Sequence, residues 1–318
     1  MTDEFNLIAR YFAPLAGPEG LGLKDDAACY HPKAGIDLVI TKDVLVSGVH
    51  FFPDDDPFLL AQKALGVNLS DIAAKGAVPQ FYFLGLCLPD SVSEQWLHSF
   101  SSGLLELQQE YEFTLAGGDT TSIKGPLVIS ITMIGHANEG CMTKRSGAKA
   151  GDGVFVTGTL GDAAGGLKVI ENKLTGFDFL RERYYLPQPR LKFGVAAARY
   201  ITAMADISDG LIADLGHICS ASEKGATIQQ QLLPISDSVS QMITAGFAEP
   251  CMIWAGGDDY ELVFTANLND MASIFAVAEE IGISATHIGM IDNTGEVRLV
   301  DPKGNLVHVK HKGFQHFR

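Results

Sequence analysis

The sequence predicts a two-domain α+β protein, and three observations carry that reading. Its 318 residues suffice for two domains of ordinary size. Hydrophobic residues make up 47% of the chain, enough to bury a substantial core and to argue against global disorder. Strand-like and helix-like stretches are mixed without a strict βαβ rhythm, which fits α+β better than a doubly wound sheet.

Residues 38–41, 81–88 and 127–134 are rich in β-branched and aromatic side chains and read as strands. Between them, 57–75 reads as a helix, with Pro57 in its first turn and Gly76 as its stop. A second helix is expected over 91–111, where Trp96, Phe100, Leu104 and Leu107 are spaced to share one face. Residues 145–152 (RSGAKAGD), rich in glycine, alanine and charge, mark a domain junction. A strand at 154–157 opens the second unit. Helices near 190–200 and 209–222 and a strand at 262–265 follow.

Acidic residues number 38 and basic residues 23, a formal net charge of −15. Nucleic acid is therefore not expected as a partner, because phosphate backbones select Lys/Arg-rich faces. No apolar run reaches the roughly 18–20 residues that span a bilayer. The N-terminal residues lack the basic region of a signal peptide. The five cysteines have no CxxC spacing and read as reduced thiols, so a cytoplasmic location is expected, with no membrane association.

The chemistry lies in where the aspartates sit. Asp25 and Asp26 precede an apolar segment. Asp43, in Thr41-Lys42-Asp43, is read as the end of an apolar strand. Asn68 and Asp71 are three apart on the 57–75 helix and share a face. GGDTT at 117–121 reads as a glycine turn carrying Asp119. DISDG at 206–210 follows the apolar run 201–205, and GGDDYE at 256–261 is another glycine-acid turn. Any one of these is ordinarily a turn former or helix cap. Together they end at least five apolar segments in acids without nearby arginines. Converging carboxylates call for a cation, and a hard, oxygen-liganded one such as Mg²⁺ suits them. No GxxxxGK[ST] loop and no protein-kinase motif set occurs. The nine histidines are scattered, and His217 reads as a lone surface or core residue.

These motifs, in this order, resemble the thiamine-monophosphate kinase family. The resemblance runs through FNLI at 5–8, DDA at 25–27, VNLSDIAAKGA at 67–77, GGDTT at 117–121 and TKRSGAKAGD at 143–152. It continues through VTGTLG at 156–161, DISDGL at 206–211, GGDDYEL at 256–262 and KGF at 312–314. It implies the aminoimidazole ribonucleotide synthetase-like fold. Residues 1–140 would form an N-terminal ATP/Mg-binding and dimerisation domain, its strands pairing into the barrel of a homodimer. Residues 141–318 would form a C-terminal α+β domain completing the active-site cleft. ATP and thiamine monophosphate are the implied substrates, with several Mg²⁺ ions. Asp26, Thr41, Asp43, Asp71, Asp119, Asp206 and Asp209 would hold the metal, with Asp25 adjoining. Gly118, Asp119, Arg145 and Ser208 would contact the nucleotide, and His50, Asp258 and Phe314 the thiamine phosphate. Arg145 and Asp209 would act on the transferred group.

The chain departs from that family's pattern at four places. Lys24 stands where glycine is common, Lys42 where the middle of a Ser/Thr-Thr-Asp run is common, Lys75 where methionine is usual and Asp258 where glutamate is usual. For Lys24 and Lys42 two readings stay open: an ammonium that stands in for one cation's charge, or a solvated side chain. A selenophosphate synthetase of the same superfamily would carry a reactive cysteine near the N-terminus, and Cys29, after the acid pair, fits that poorly.

Overall fold

A computed structural model describes residues 4–314. The chain divides into two compact units. The first takes the residues up to Ile72 and Ala77–Gly140, and the second takes Ala73–Gly76 and the chain from Cys141 on.

In the first unit a short helix, α1 (Glu4–Leu7), precedes β1 (Ile36–Val46), α2 (Pro57–Ala74), β2 (Val78–Leu88), α3 (Glu94–Tyr111), β3 (Thr114–Ser122) and β4 (Val128–Asn138). The strands form one sheet in the order β1-β4-β2-β3. β4 is antiparallel to both its neighbours, while β2 and β3 run parallel. α2 is buried nearly all round, its polar Gln62, Lys63, Asn68 and Ser70 included, and Leu65, Leu69 and Ile72 are fully buried. It packs against α3, where a Cβ on Gly103 would come within 2.3 Å of the Phe58 carbonyl oxygen. α3 starts at Glu94, later than expected, because the Ser93 side chain accepts the Trp96 amide at 3.1 Å and caps the helix there. Its apolar face buries Phe100, Leu104 and Leu107, with Trp96 stacked on Phe100 at 4.8 Å.

Two sequence expectations are corrected here. The strand read as 38–41 runs on to Val46, so Thr41 and Asp43 lie in mid-strand and not at its end. The cause is β4, which pairs with every residue from Ile36 to Val46 and gives the ladder no reason to stop. GGDTT is no turn but part of β3, with Gly118 opposite Leu84 and Asp119 opposite Gly85. Gly118 is needed because a Cβ there would sit 1.9 Å from the Leu84 carbonyl oxygen. The glycine serves close approach of two strands.

The second unit contains β5 (Gly153–Thr157), α4 (Asp162–Glu171), α5 (Asp178–Tyr185), α6 (Leu191–Ala197), β6 (Ile201–Asp206), α7 (Leu211–Ser222) and β7 (Gly225–Gln229). α8 (Asp237–Thr244), α9 (Met252–Ala255), β8 (Leu262–Ala266), α10 (Met271–Ile281), β9 (Ala285–Asp292) and β10 (Val297–Val300) follow. Its sheet has the order β10-β7-β9-β5-β8-β6 and is antiparallel except for β7 with β10. β5 and β8 are buried along their whole length, as strands covered on both faces are. One face packs Val154, Val156, Ala205 and Val263 with Leu211, Leu215 and Ile218 of α7. On the other, Phe155 and Phe264 stack at 5.3 Å, against Phe193 of α6 and Phe275 of α10. Both units mix strands and helices in the α+β manner.

Candidate active site

In the first unit the strand period sorts the functional side chains onto two faces of β1. Thr41 and Asp43 share one face and meet Asp71 of α2, whose carboxylate accepts a hydrogen bond from Thr41 Oγ1. Asp43 Oδ2 is buried without a hydrogen-bond partner. Burial, reinforced by the Asp71 carboxylate and opposed by Lys42, pushes the Asp43 carboxyl up to about 6. Two carboxylates with an orphaned buried oxygen and a hydroxyl beside them form an all-oxygen donor set, which fits a hard divalent cation such as Mg²⁺.

Lys42 points to the opposite face. Its Nζ donates to Ser130 Oγ at 2.6 Å and Thr132 Oγ1 at 3.3 Å, both on β4. It lines a cavity of about 520 Å³ together with Asp25, Asp26, Gly118 and Asp119. Asp25 Oδ1 accepts the Asp26 amide at 2.8 Å, which turns the chain so that both acids reach this cavity. The structure thus separates the predicted acids of this unit into a half-buried pair (Asp43, Asp71) and a cavity-lining group (Asp25, Asp26, Asp119). His50, in the turn after β1, accepts the Val46 amide at Nδ1 over 3.0 Å, which leaves the proton of the neutral ring on Nε2.

In the second unit the DISDG segment follows β6, with Asp206 buried at the strand end and Ser208 and Asp209 half-buried. Three loops meet there through backbone bonds. Asp258 N donates to Ser208 O at 2.9 Å, Tyr260 N to Ile207 O at 2.9 Å, and Phe314 N to Asp209 O at 3.0 Å. The glycines of these motifs permit the contact: a Cβ on Gly257 would lie 2.6 Å from Ser208 O, and one on Gly313 2.6 Å from Asp209 O. Asp258 itself adopts a left-handed conformation, φ 67°, and accepts the Tyr260 hydroxyl at 3.1 Å.

Sequence reasoning missed Asp214. One oxygen, Oδ2, accepts the amides of Ser208, Asp209 and Gly210, each at 3.1 Å, and so fixes the loop from the first turn of α7. Burial first, then the Asp209 carboxylate, pushes the Asp214 carboxyl up to about 7, while its amide bonds and the Arg145 guanidinium pull the other way. His217 is exposed, yet it stands within 4.8 Å of Asp209 and Asp214 measured between their donor atoms, so it is not a lone residue. The spacing Asp214-x-x-His217 on one helix face was the available signal. Arg145 is exposed on a loop held by Ser222, whose Oγ accepts the amides of Gly147 and Ala148 at 3.2 Å and donates to Arg145 O.

The other acids of GGDDYE are structural. Asp259 accepts the amides of Gly161 and Ala163 at the start of α4, and burial pushes its carboxyl up to about 8. Glu261 is buried between Arg183 and Arg190 and accepts from Thr157. Phe314 is 51% exposed and lines a cavity of about 880 Å³ with Phe247, Met252, Lys168 and Lys312. The sequence-predicted residues thus fall on both units: Asp26, Thr41, Asp43, His50, Asp71, Gly118 and Asp119 on the first, and Arg145, Asp206, Ser208, Asp209, Asp258 and Phe314 on the second.

Residues 24–137 match the family described as AIR synthase related protein, N-terminal domain, and 149–302 match its C-terminal domain. The thiamine-monophosphate kinase of Escherichia coli O157:H7 is 42% identical over 324 residues, covering 99% of this chain and 98% of that protein. That of Bacillus subtilis strain 168 is 32% identical over 309 residues, covering 94% of each. Among solved structures, thiamine-monophosphate kinase from Stenotrophomonas maltophilia K279a superposes with a TM-score of 0.84 at 37% identity, over 95% of this chain and 96% of that one. AaThiL complexed with AMPPCP and TMP gives 0.79 at 29% identity, over 92% and 91%. E. coli HypE, a hydrogenase maturation protein, gives 0.80 at 18% identity, over 98% and 99%, a likeness of fold alone.

Proposed function

This chain belongs to the thiamine-monophosphate kinase family, and from that premise we infer that it transfers the γ-phosphoryl group of ATP to the phosphate of thiamine monophosphate, giving thiamine diphosphate and ADP. The observation that carries the reading is the Thr41, Asp43 and Asp71 group. Two half-buried carboxylates side by side, with one buried oxygen unpartnered, need positive charge, and phosphoryl transfer between two polyanions needs the same.

Asp26, Thr41, Asp43, Asp71 and Asp119 on the first unit, and Asp206 and Asp209 on the second, are the proposed Mg²⁺ residues. Bound Mg²⁺ supplies charge neutralisation of the transferring phosphates. The chain itself positions. Gly118 lets β3 pack close to Leu84 while lining the cavity, and Ser208 is held by the Asp214 carboxylate. Arg145, whose guanidinium acts on the Asp214 carboxyl, would meet the charge that develops on the moving phosphoryl group together with Asp209. His50, with Nε2 as its donor, Asp258 and Phe314 are assigned to thiamine monophosphate. No strong base is required, because a phosphate monoester is already largely ionised near neutral pH.

The chain is further proposed to be a cytoplasmic homodimer. Among the described residues no helix is long and apolar enough to cross a membrane. Leu38, Ile40 and Val44 on the Lys42 face of β1 are 41%, 65% and 44% exposed, a stripe suited to a second copy. Light scattering at twice 34.1 kDa tests this. The function is tested by ADP release from ATP with and without thiamine monophosphate. Release that depends on the acceptor and stops with EDTA is expected. Equal release in both mixtures counts against the assignment.

A further inference from the structure

Lys42 lines the first unit's cavity and, among the described residues, is hydrogen-bonded there to no carboxylate. Both its hydrogen-bond partners, Ser130 and Thr132, are neutral hydroxyls on the adjoining strand. They fix the ammonium in position and leave one of its three donors free for another acceptor. Among the described residues lining this cavity it is the only basic one, while Asp25, Asp26 and Asp119 are acidic. An acidic cavity can hold an anionic ligand only if cations intervene. One such cation is here supplied by the chain, covalently tethered and aimed by β1's alternation away from Thr41 and Asp43.

We propose that the Lys42 ammonium is a resident cation of a triphosphate pocket, standing in place of one divalent ion with a single positive charge toward a bound nucleoside triphosphate. This rests on the kinase reading above and adds a specific claim to it: the chain takes up fewer Mg²⁺ ions with its nucleotide than a variant without the lysine. A lysine is suited to the task because its ammonium is a compact point charge that contacts phosphate without demanding the planar geometry of a guanidinium. It is also tethered to the chain and is not removed by a chelator, so part of the nucleotide affinity survives chelation.

The test is calorimetric titration of a nonhydrolysable ATP analogue into the full chain, in EDTA and over a series of free Mg²⁺ concentrations. Wild type, Lys42→Thr and Lys42→Arg are compared. Wild type is expected to bind the analogue in EDTA. Lys42→Thr is expected to bind about tenfold more weakly there, the scale of one charge-assisted hydrogen bond. The dependence of its affinity on Mg²⁺ should steepen by about one ion. Lys42→Arg, which keeps the charge, should track wild type in the Mg²⁺ slope and guards against a folding defect in the threonine variant. An unchanged affinity in EDTA and an unchanged Mg²⁺ slope for Lys42→Thr overturn the proposal. If wild type turns over ATP in the presence of thiamine monophosphate, that failure leaves the kinase reading intact. If wild type binds no analogue at any Mg²⁺ concentration, both fall.

Discussion

Asp43→Asn should make the protein more stable and nearly inactive. The Asp43 carboxyl, ordinarily at 3.8, stands at about 6 in the folded chain because of burial and then the Asp71 carboxylate. Ionising it in the folded state therefore costs about 3 kcal/mol relative to the unfolded chain. Below about pH 4 the group is protonated in both states and the cost is absent. As pH rises toward 6 the unfolded chain releases the proton and the folded one does not, so stability falls across that window and then levels off. Asparagine has the same shape and no charge, but it keeps a polar atom buried. The net gain at pH 7.5 is thus put at about 1–3 kcal/mol, several degrees in the unfolding temperature. Thermal unfolding of both proteins in EDTA from pH 4 to pH 8 reads this directly. The advantage of the variant should vanish near pH 4 and be full by pH 7. Added Mg²⁺ should raise the wild-type unfolding temperature much more than that of the variant, while turnover falls by about two orders of magnitude. A variant no more stable than wild type at pH 7.5, or equally favoured at pH 4, would refute the account of a repelled carboxylate held for a cation.

Two further outcomes are expected. Asp214→Ala strips one shared acceptor from the amides of Ser208, Asp209 and Gly210. It should cost about 1–3 kcal/mol in thermal unfolding, whereas Asp214→Asn, which keeps an acceptor oxygen, should cost less; equal losses would argue against the loop-fixing role. Phe314→Ala removes an exposed aromatic wall of the larger cavity. It should raise KM for thiamine monophosphate several-fold, on the scale of about 1 kcal/mol of lost stacking. KM for ATP should barely move, and a matching rise in both would point to general disruption.

The elements readable from sequence were those whose ends carry their own chemistry. α2 begins at Pro57 and ends before Gly76, as its flanking residues dictate. The α3 face showed through its apolar spacing. β1 was cut short because Lys42 and Asp43 interrupt the apolar run, and they interrupt it by facing functional surroundings on its two sides. Only the ladder with β4 reveals that the strand continues. The glycines of GGDTT read from sequence as a turn, since close approach of two backbones and a reversal of the chain draw on the same residue. Asp214 shows in the sequence only as half of an Asp-x-x-His spacing, which does not reveal its loop-fixing role. Nothing local marks a helical aspartate as the acceptor for three amides that precede it. In GGDDYE the sequence does not divide the acids, because only the folded chain buries Asp259 and Glu261 against their partners and leaves Asp258 half-buried.

The most direct measurement follows the phosphorus itself. The chain is incubated with ATP labelled only at the γ-phosphoryl group, thiamine monophosphate and Mg²⁺, and the products are separated. The account predicts that the label appears in the terminal phosphate of thiamine diphosphate, in equal amount to the ADP formed, and that no transfer occurs with EDTA. Label released as inorganic phosphate, or transfer undiminished without divalent metal, would contradict it.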